Sequence, residues 1–171
     1  FKGWSDAAEA ATSAVDTIIK NYDSKKFASF EEEEFFAFAR ERPNVKNSKN
    51  GRIIEWPHND LYYIDNAIDN TPLIILNGTE PHFKWKTFSK EVIDLCVSMN
   101  VSSVVTLGAL LDSIPHTRGV KTQITGQHEF MPEGYTQKKI SQSKYEGPTG
   151  ITSVIIEDFK KIGIPSMSIW A

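Results

Sequence analysis

Residues 72–76, Pro-Leu-Ile-Ile-Leu, form a continuous apolar run that ends in Asn77-Gly78. Such a run is typical of a buried central strand covered on both faces. Apolar residues then recur at helical spacing from Trp85 to Met99, and a second apolar run, Val101–Gly108, follows them. Strand, helix and strand in this order predict a βαβ unit, whose two strands pair in parallel through a right-handed crossover. The stretch therefore predicts an α/β sheet with helices on both faces.

Weaker patterns extend this prediction toward both ends of the chain. Small and apolar residues at three- and four-residue steps predict a helix from Asp6 to about Asn21, capped by Ser5 or Asp6. Glu31–Glu34 are interpreted as the acidic first turn of a short helix. The remaining predictions are a strand at 26–30, a polar hairpin tip at 44–51, paired strands at 52–56 and 60–64, a helix at 151–162 ended by Gly163, and a last strand at 164–170.

Composition narrows the class of protein. The chain has 171 residues, of which 40% are hydrophobic and 24% charged, which is typical of a single globular domain. The net charge is -3, so the chain has no excess of basic residues of the kind that binds nucleic acid or an anionic membrane. No apolar run is long enough for a membrane helix. One cysteine, Cys96, fits a reducing cytoplasm. Because the chain opens at Phe1 without methionine and stops at Ala171 in an apolar run, we expect residues 1–171 to be one α/β domain truncated at both ends.

The candidate functional residues follow from the rule that ligands in open α/β sheets bind beyond the carboxyl ends of the strands. Asp6, Glu80 and His116 all lie in such turns. Glu80 is either a ligand-orienting acid or a helix-entry acid beside Pro81. His116 is either a titrating group, which would need Asp112 or Glu80 to orient it, or a structural histidine.

The turn formed by Gly147, Pro148, Thr149 and Gly150 precedes a predicted helix and would suit a phosphate or carboxylate. The alternative is that the glycines make the turn and Thr149 caps the helix with no ligand present. Neither a Walker loop nor a dinucleotide fingerprint can be completed, and the histidines show no zinc spacing, so we expect neither a cofactor nor a metal. Cys96 lies on an apolar helix face and is predicted to be inert. Trp85 is the best candidate for an interface residue.

Taken together, the turn sequences resemble the family of proteasome assembly chaperone 2, and most closely its bacterial, actinobacterial-type branch. The resemblance covers nearly the whole chain and rests on a series in this order: Gly3-Trp4-x-Asp6-Ala7-Ala8, Arg42-Pro43, Trp56-Pro57, Gly78-x-Glu80-Pro81 with Trp85, Thr106-Leu107-Gly108-Ala109, Pro115-His116-Thr117-Arg118, Tyr145-x-Gly147-Pro148-Thr149-Gly150-Ile151 and Gly163-Ile164-Pro165.

The resemblance implies a three-layer α/β/α sandwich with a mainly parallel central sheet, similar to the phosphorylase/hydrolase-like fold. It also implies a cytoplasmic homo-oligomer, often a trimer in bacterial members, and a non-catalytic role as assembly chaperone or interaction scaffold with proteasome-type subunits as partners. The family is sometimes labelled ATP-grasp or carboxylate–amine ligase, but the metal-binding carboxylates and mobile lid of that class are not recognisable in the sequence. The alternative function is a small-molecule site, of a hydrolase or nucleoside type, built from Asp6, Glu80, His116 and residues 147–150.

Overall fold

The computed structural model describes residues 6–68, 70–113, 115, 117–119, 122–126 and 146–171. The chain divides into two compact units. The first contains Thr12–Trp85, and the second contains Lys86–Ala171 together with the described residues 6–11. Each unit has its own strand pairing and its own buried apolar residues.

The first unit is built mainly from antiparallel strands. Its elements are α1 (Ala10–Asn21, in this unit from Thr12 onward), β1 (Ser24–Ser29), α2 (Glu32–Phe35), β2 (Asn44–Ser48), β3 (Gly51–Glu55), β4 (Asn59–Ile68) and β5 (Thr71–Gly78). β4 lies between β1 and β5 and is antiparallel to both. The turn from β4 to β5 includes Asn70 at a φ of 60°, a left-handed conformation that asparagine tolerates better than most residues.

Two backbone hydrogen bonds hold the end of α2 to the segment that follows β5. Phe35 is 1% exposed, and its carbonyl oxygen accepts hydrogen bonds from the backbone N–H groups of His82 (2.7 Å) and Phe83 (3.1 Å). Glu32, Glu33 and Glu34 occupy the first turn, so the predicted acidic helix start is confirmed. The buried apolar residues of the unit are Phe35, Phe36, Leu61, Ile64 and Ile75.

The second unit contains a mixed sheet. Its elements are a 3-10 turn (Ala7–Glu9), α3 (Trp85–Ser98, in this unit from Lys86 onward), β6 (Val104–Gly108), β7 (Gln123–Gly126), α4 (Ile151–Lys161) and β8 (Ser166–Trp170). β8 lies in the middle, parallel to β6 and antiparallel to β7. The largest buried apolar side chains are those of Phe88, Ile151, Ile155, Ile156 and Phe159.

Both longer helices of this unit end where the sequence predicts. Gly163 has a φ of 76°, its N–H donates to the Lys160 carbonyl, and the N–H of Ile164 donates to the Phe159 carbonyl. This is the Schellman arrangement, which satisfies the last carbonyl groups of a helix. Asn100, at a φ of 54°, ends α3 in the same way.

The expected three-layer sandwich with a mainly parallel central sheet, similar to the phosphorylase/hydrolase-like fold, is wrong. In the part of the chain that the structure describes, the sheets are mostly antiparallel, and β6 with β8 is the one parallel pair of strands. β5 and β6 do not pair. β5 instead forms an antiparallel hairpin with β4, because a short turn joins the two and makes that pairing local.

Three smaller expectations also need correction. β5 is an edge strand of its described sheet, and within it only Ile75 is fully buried, so it is not a central strand covered on both faces. Residues 44–48 form strand β2, which pairs with β3, whereas the sequence predicted a loop there and a pairing of 52–56 with 60–64. At the amino end, positive φ angles at Ala8 and Glu9 delay the α-helix until Ala10.

Candidate functional site

The carboxyl ends of β6 and β8 form the edge at which the sequence predicted a site. The two strands end side by side, with Gly108 paired to Trp170. Beyond them, Ala109 forms an isolated parallel bridge with Asp6, and the N–H of Ala7 donates to the Ala109 carbonyl at 3.0 Å. Asp6 therefore lies at the predicted edge of the second unit's sheet.

The Asp6 carboxylate has a structural task at this edge. Its Oδ1 accepts a hydrogen bond of 2.7 Å from the backbone N–H of Ala11, in the first turn of α1. A carboxylate in this place satisfies a backbone donor that the helix itself leaves unpaired and suits the positive end of the helix dipole. Asp6 is thus not the predicted N-cap of α1, because the helix begins at Ala10 and Asp6 precedes the 3-10 turn without a side-chain cap bond to it; its carboxylate reaches the first turn of α1 from four residues before the helix.

The turn before α4 reaches the same edge. α4 packs on β6 and β8, and it runs opposite to β8 because only residues 162–165 join the two, so its first turn lies where β8 ends. Gly150 is buried and is the N-cap of α4, in an extended conformation with no side-chain cap hydrogen bond. The predicted Thr149 cap is therefore wrong. Gly147 and Thr149 are exposed.

The remaining residues that the sequence suggested for a ligand site are Glu80, His116 and Asp112. Glu80 is half-buried and follows β5 in the first unit, whereas Asp6 and residues 147–150 belong to the second. His116 lies outside the described residues. Asp112 is exposed, and its Oδ1 accepts a hydrogen bond of 2.7 Å from the N–H of Ser113, a local turn contact. Among the candidates for a ligand site, Asp6 and Gly150 are thus the pair that the described second unit brings to one edge.

Trp85, the candidate interface residue, is half-buried at the start of α3. Its Nε1 donates a hydrogen bond of 2.5 Å to the Pro81 carbonyl, and Pro81 is itself buried. The polar edge of the indole is therefore satisfied within the chain. An interface role for Trp85 remains a prediction.

A polar cluster in the first unit was not predicted from the sequence. Asp60 is 5% exposed, and its Oδ1 accepts a hydrogen bond from Ser29 Oγ at 2.6 Å and pairs with Lys26 Nζ at 2.8 Å. His58 Nε2 lies 3.6 Å from Asp60 Oδ2. Burial raises the pKa of the nearby Tyr62 phenol above its ordinary value, and the negative charge of Asp60 raises it further. The cluster joins β1 to β4. Asp60 and Tyr62 share a face of β4 by alternation, whereas Lys26 and Ser29 of β1 meet them only because the strand has a bulge between Lys26 and Ala28.

The β2–β3 ribbon, defined as Asn44–Glu55, is the most exposed apolar part of the first unit. Val45 pairs directly with Ile54, yet the two are 54% and 58% exposed. Ile53 is 47% exposed, and Trp56, one residue beyond the ribbon, is 46% exposed with its ring edge-on to Phe38 at 4.8 Å. Scattered exposed apolar residues are ordinary, but Val45 and Ile54 are directly paired and uncovered on one face of the ribbon, while Ile53 pairs with Lys46 on the other face. The apolar content of Val45, Ile53 and Ile54 was the sequence signal for this exposed surface.

A metal site needs several clustered ligands, and a reactive thiol needs a lowered pKa. Among the described residues, no group of three or more His, Cys, Asp or Glu side chains is arranged to hold a metal ion. Partial burial raises the pKa of the Cys96 thiol to about 11, so the thiolate is scarce at neutral pH. None of the described helices is both long enough and apolar enough to cross a membrane.

With this geometry in view, comparison with known proteins defines the class. The PAC2 family matches residues 1–171, and the chain belongs to that family. A PAC2 family protein from Streptomyces avermitilis is 32% identical, with a TM-score of 0.84, and the match covers 99% of this chain and 72% of that one.

Two further solved structures are informative. A proteasome-assembly chaperone homologue from Mycobacterium tuberculosis is 28% identical, with a TM-score of 0.84 over 100% of this chain and 72% of that one. An archaeal proteasome activator from Pyrococcus furiosus is 17% identical, with a TM-score of 0.64 over 92% of this chain and 67% of that one, and shares the fold. No curated protein matches the chain.

Proposed function

We propose that this protein is a non-catalytic homo-oligomer, a trimer, that acts in the cytoplasm as an assembly chaperone or interaction scaffold for proteasome-type subunits. The observation that carries the proposal is the 28% identity, over the whole chain, to a protein described as a proteasome-assembly chaperone homologue. The family match over residues 1–171 supports the chaperone-type class.

Two features of the structure support a binding role. The β2–β3 ribbon presents paired apolar side chains to solvent, which a protein partner would cover. At the predicted ligand edge, by contrast, the polar groups of Asp6 and Trp170 make hydrogen bonds within the chain, to Ala11 and to Thr125 Oγ1 at 3.4 Å. Those groups have a structural explanation without a ligand.

The test is native mass spectrometry of the full-length protein purified gently from its own host. We expect a homo-oligomer that carries proteasome-type subunits. A host without a proteasome, or an oligomer that never carries such subunits, would contradict the assembly role. A stoichiometric small molecule that is retained by the wild type and lost in Glu80→Ala would support the small-molecule alternative instead.

Subunit capture needs a control for specificity. The control is the same protein, denatured and refolded, and analysed beside the native sample. Adhesion of exposed apolar surface does not give a fixed subunit ratio, so a fixed ratio distinguishes a specific complex from adhesion. A fixed ratio in the native sample alone supports the proposal.

A further inference from the structure

The β2–β3 ribbon is a separate element within the first unit. β2 and β3 pair with each other over five residue pairs, from Asn44 with Glu55 to Ser48 with Gly51, and with no other described strand. All of its residues are exposed except Glu55, which is half-buried. An isolated two-stranded hairpin is only marginally stable in water, so a ribbon of this kind gains order when a partner covers it.

The two faces of the ribbon carry different side chains. Val45 and Ile54 are paired on one face, and the ion pair of Lys46 with Glu55, at 2.6 Å, lies on the other. Lys49 and Arg52 stand at and next to the turn. Five residues per strand at about 3.4 Å each give the ribbon a reach of about 17 Å. The ribbon therefore presents the apolar pair of Val45 and Ile54 on one face, Ile53 beside the ion pair on the other, and a basic tip.

Charge identifies the kind of surface that fits the ribbon. Three cations against one carboxylate give Asn44–Glu55 a net charge of +2, while the whole chain carries -3, so the residues outside the ribbon total -5. Two ribbons would repel each other, whereas a ribbon and the remainder of another copy attract. A second copy of this chain is thus an electrostatically complementary partner for the ribbon.

We infer that the β2–β3 ribbon of one subunit docks on the first unit of a second copy, in a head-to-tail contact. This inference rests on the proposed homo-oligomer and names the surface that builds it. A head-to-tail contact repeats around a closed ring when its rotation permits, which suits a trimer and not an isologous dimer.

The receiving surface is acidic and apolar together. Glu31 and Glu33 are exposed around α2, Glu34 is exposed and pairs with Lys84 Nζ at 3.4 Å, and Phe83 beside them is 51% exposed. The Phe83 N–H donates to the Phe35 carbonyl at the end of α2, which fixes Phe83 next to these carboxylates. Glu31 and Glu33 are the complement that we assign to the basic tip, and Phe83 is the one that we assign to the Val45–Ile54 pair.

The first test removes the apolar contact. In the full-length protein, Val45→Ser with Ile54→Ser is expected to weaken self-association by at least about tenfold, measured by analytical ultracentrifugation across a dilution series. Val97→Ser on α3 is the matched control, because Val97 is 53% exposed, close to the 54% of Val45, and lies outside the ribbon. The control is expected to remain oligomeric. A double variant that associates as tightly as the wild type overturns the inference.

The second test exchanges charges and does not depend on the stability of the ribbon. Arg52→Glu alone and Glu31→Lys with Glu33→Lys alone are each expected to shift the protein toward single subunits. The combined triple variant restores opposite charges across the contact and is expected to recover the wild-type mass. Failure of the triple variant to recover overturns the head-to-tail assignment.

Capture of proteasome-type subunits separates this inference from the proposed function. A ribbon variant that stays oligomeric but no longer carries such subunits would overturn the second copy as occupant and leave the chaperone role standing. A wild type that oligomerises through the ribbon but never carries proteasome-type subunits would contradict the role and leave the ribbon contact standing.

Discussion

Trp170 lies so close to Gly108 that a β-carbon built at position 108 would be 2.4 Å from Cζ3 of the indole. The two residues are partners in the parallel register of β6 and β8, at the edge where Asp6 bridges to Ala109. Only glycine leaves space for the ring there. The position of Trp170, and with it the end of β8, depends on position 108 having no side chain.

Gly108→Ala is therefore expected to destabilise the protein by about 1–3 kcal/mol, the usual effect of overpacking a close contact. The free energy of unfolding would be measured by urea denaturation. Gly119→Ala is the control, since a β-carbon at Gly119 would meet nothing within 4 Å. Equal effects of the two substitutions would contradict the packing argument.

A buried hydroxyl links the two longer helices of the second unit. Ser89 on α3 is fully buried, and its Oγ donates a hydrogen bond of 2.8 Å to Asp158 Oδ2 on α4. Ser89→Ala is expected to lower stability by about 1.5–3 kcal/mol, because the bond has a charged acceptor. Ser98→Ala is the matched control, since Ser98 is an exposed serine of the same helix that bonds only its own turn, at the Leu95 carbonyl. Denaturation curves that do not separate the two variants would rule out this link.

The same bond contributes to the pH dependence of the free energy of unfolding. Hydrogen bonds from Lys161 and then from Ser89 lower the pKa of the Asp158 carboxyl in the folded protein. A folded-state pKa below the unfolded one stabilises the fold above the unfolded value, and this contribution is lost as the pH falls through the folded value. Ser89→Ala should therefore reduce the loss of stability on acidification. A denaturation midpoint that falls as steeply in acid as that of the wild type would contradict this assignment.

Asp60 contributes to the raised pKa of Tyr62. Because burial is the larger cause of the raised Tyr62 pKa and Asp60 the next, Asp60→Asn is expected to lower that pKa only part of the way toward its ordinary value. A phenol with a raised folded-state pKa stabilises the fold below the unfolded pKa, and that contribution is lost as the pH rises through the folded value. The measurement is the ultraviolet absorbance of phenolate against pH, with Tyr62→Phe as the reference that removes this group alone. An unchanged Tyr62 titration in Asp60→Asn would disprove the coupling.

Cys96 is expected to react slowly with thiol reagents. A pKa of about 11, against the ordinary value of 9.0, makes the thiolate about a hundred times scarcer near neutral pH. Alkylation of the native protein should therefore be about a hundredfold slower than alkylation in denaturant. Since Cys96 is the one cysteine of the sequence, the reaction reports this site alone. Equal rates in the two conditions would show that the thiol is neither desolvated nor shielded.

Local signals in the sequence predicted local structure well. Gly163 and Asn100 adopt the positive φ that ends a helix, and Glu32–Glu34 begin one, because each of these effects acts within a single turn. The apolar run at 72–76 indicated a strand but not its neighbour. Hydrophobic periodicity reports how much of a strand is buried, and several pairings can satisfy it, so the choice of β4 over β6 as partner of β5 was not available from the pattern.

In the candidate site, too, local features could be predicted in part from the sequence and long-range contacts could not. Residue type placed Asp6 near the start of the helix, but the sequence did not show the 3-10 turn that separates it from Ala10, so the contact to Ala11 replaces the predicted cap. Asp60 meets Ser29, 31 residues away in sequence, only because β1 and β4 pair in that register, so the polar cluster was not foreseen. Strand β2 was missed because Asn44, Lys46 and Asn47 have low strand propensity, and pairing with β3 overrides that preference.

The middle position of β8 in its sheet has a consequence for protein synthesis. Thr106 on β6 and Ser168 on β8 share a hydrogen bond across 62 residues, and β7 pairs with β8 as well. Neither β6 nor β7 can reach its partner until residues 166–170 have left the ribosome, whereas the β4–β5 hairpin is complete by residue 78. A nascent chain of this protein therefore carries β6 without its partner strand while residues 109–165 are added, and β7 without it while residues 127–165 are added.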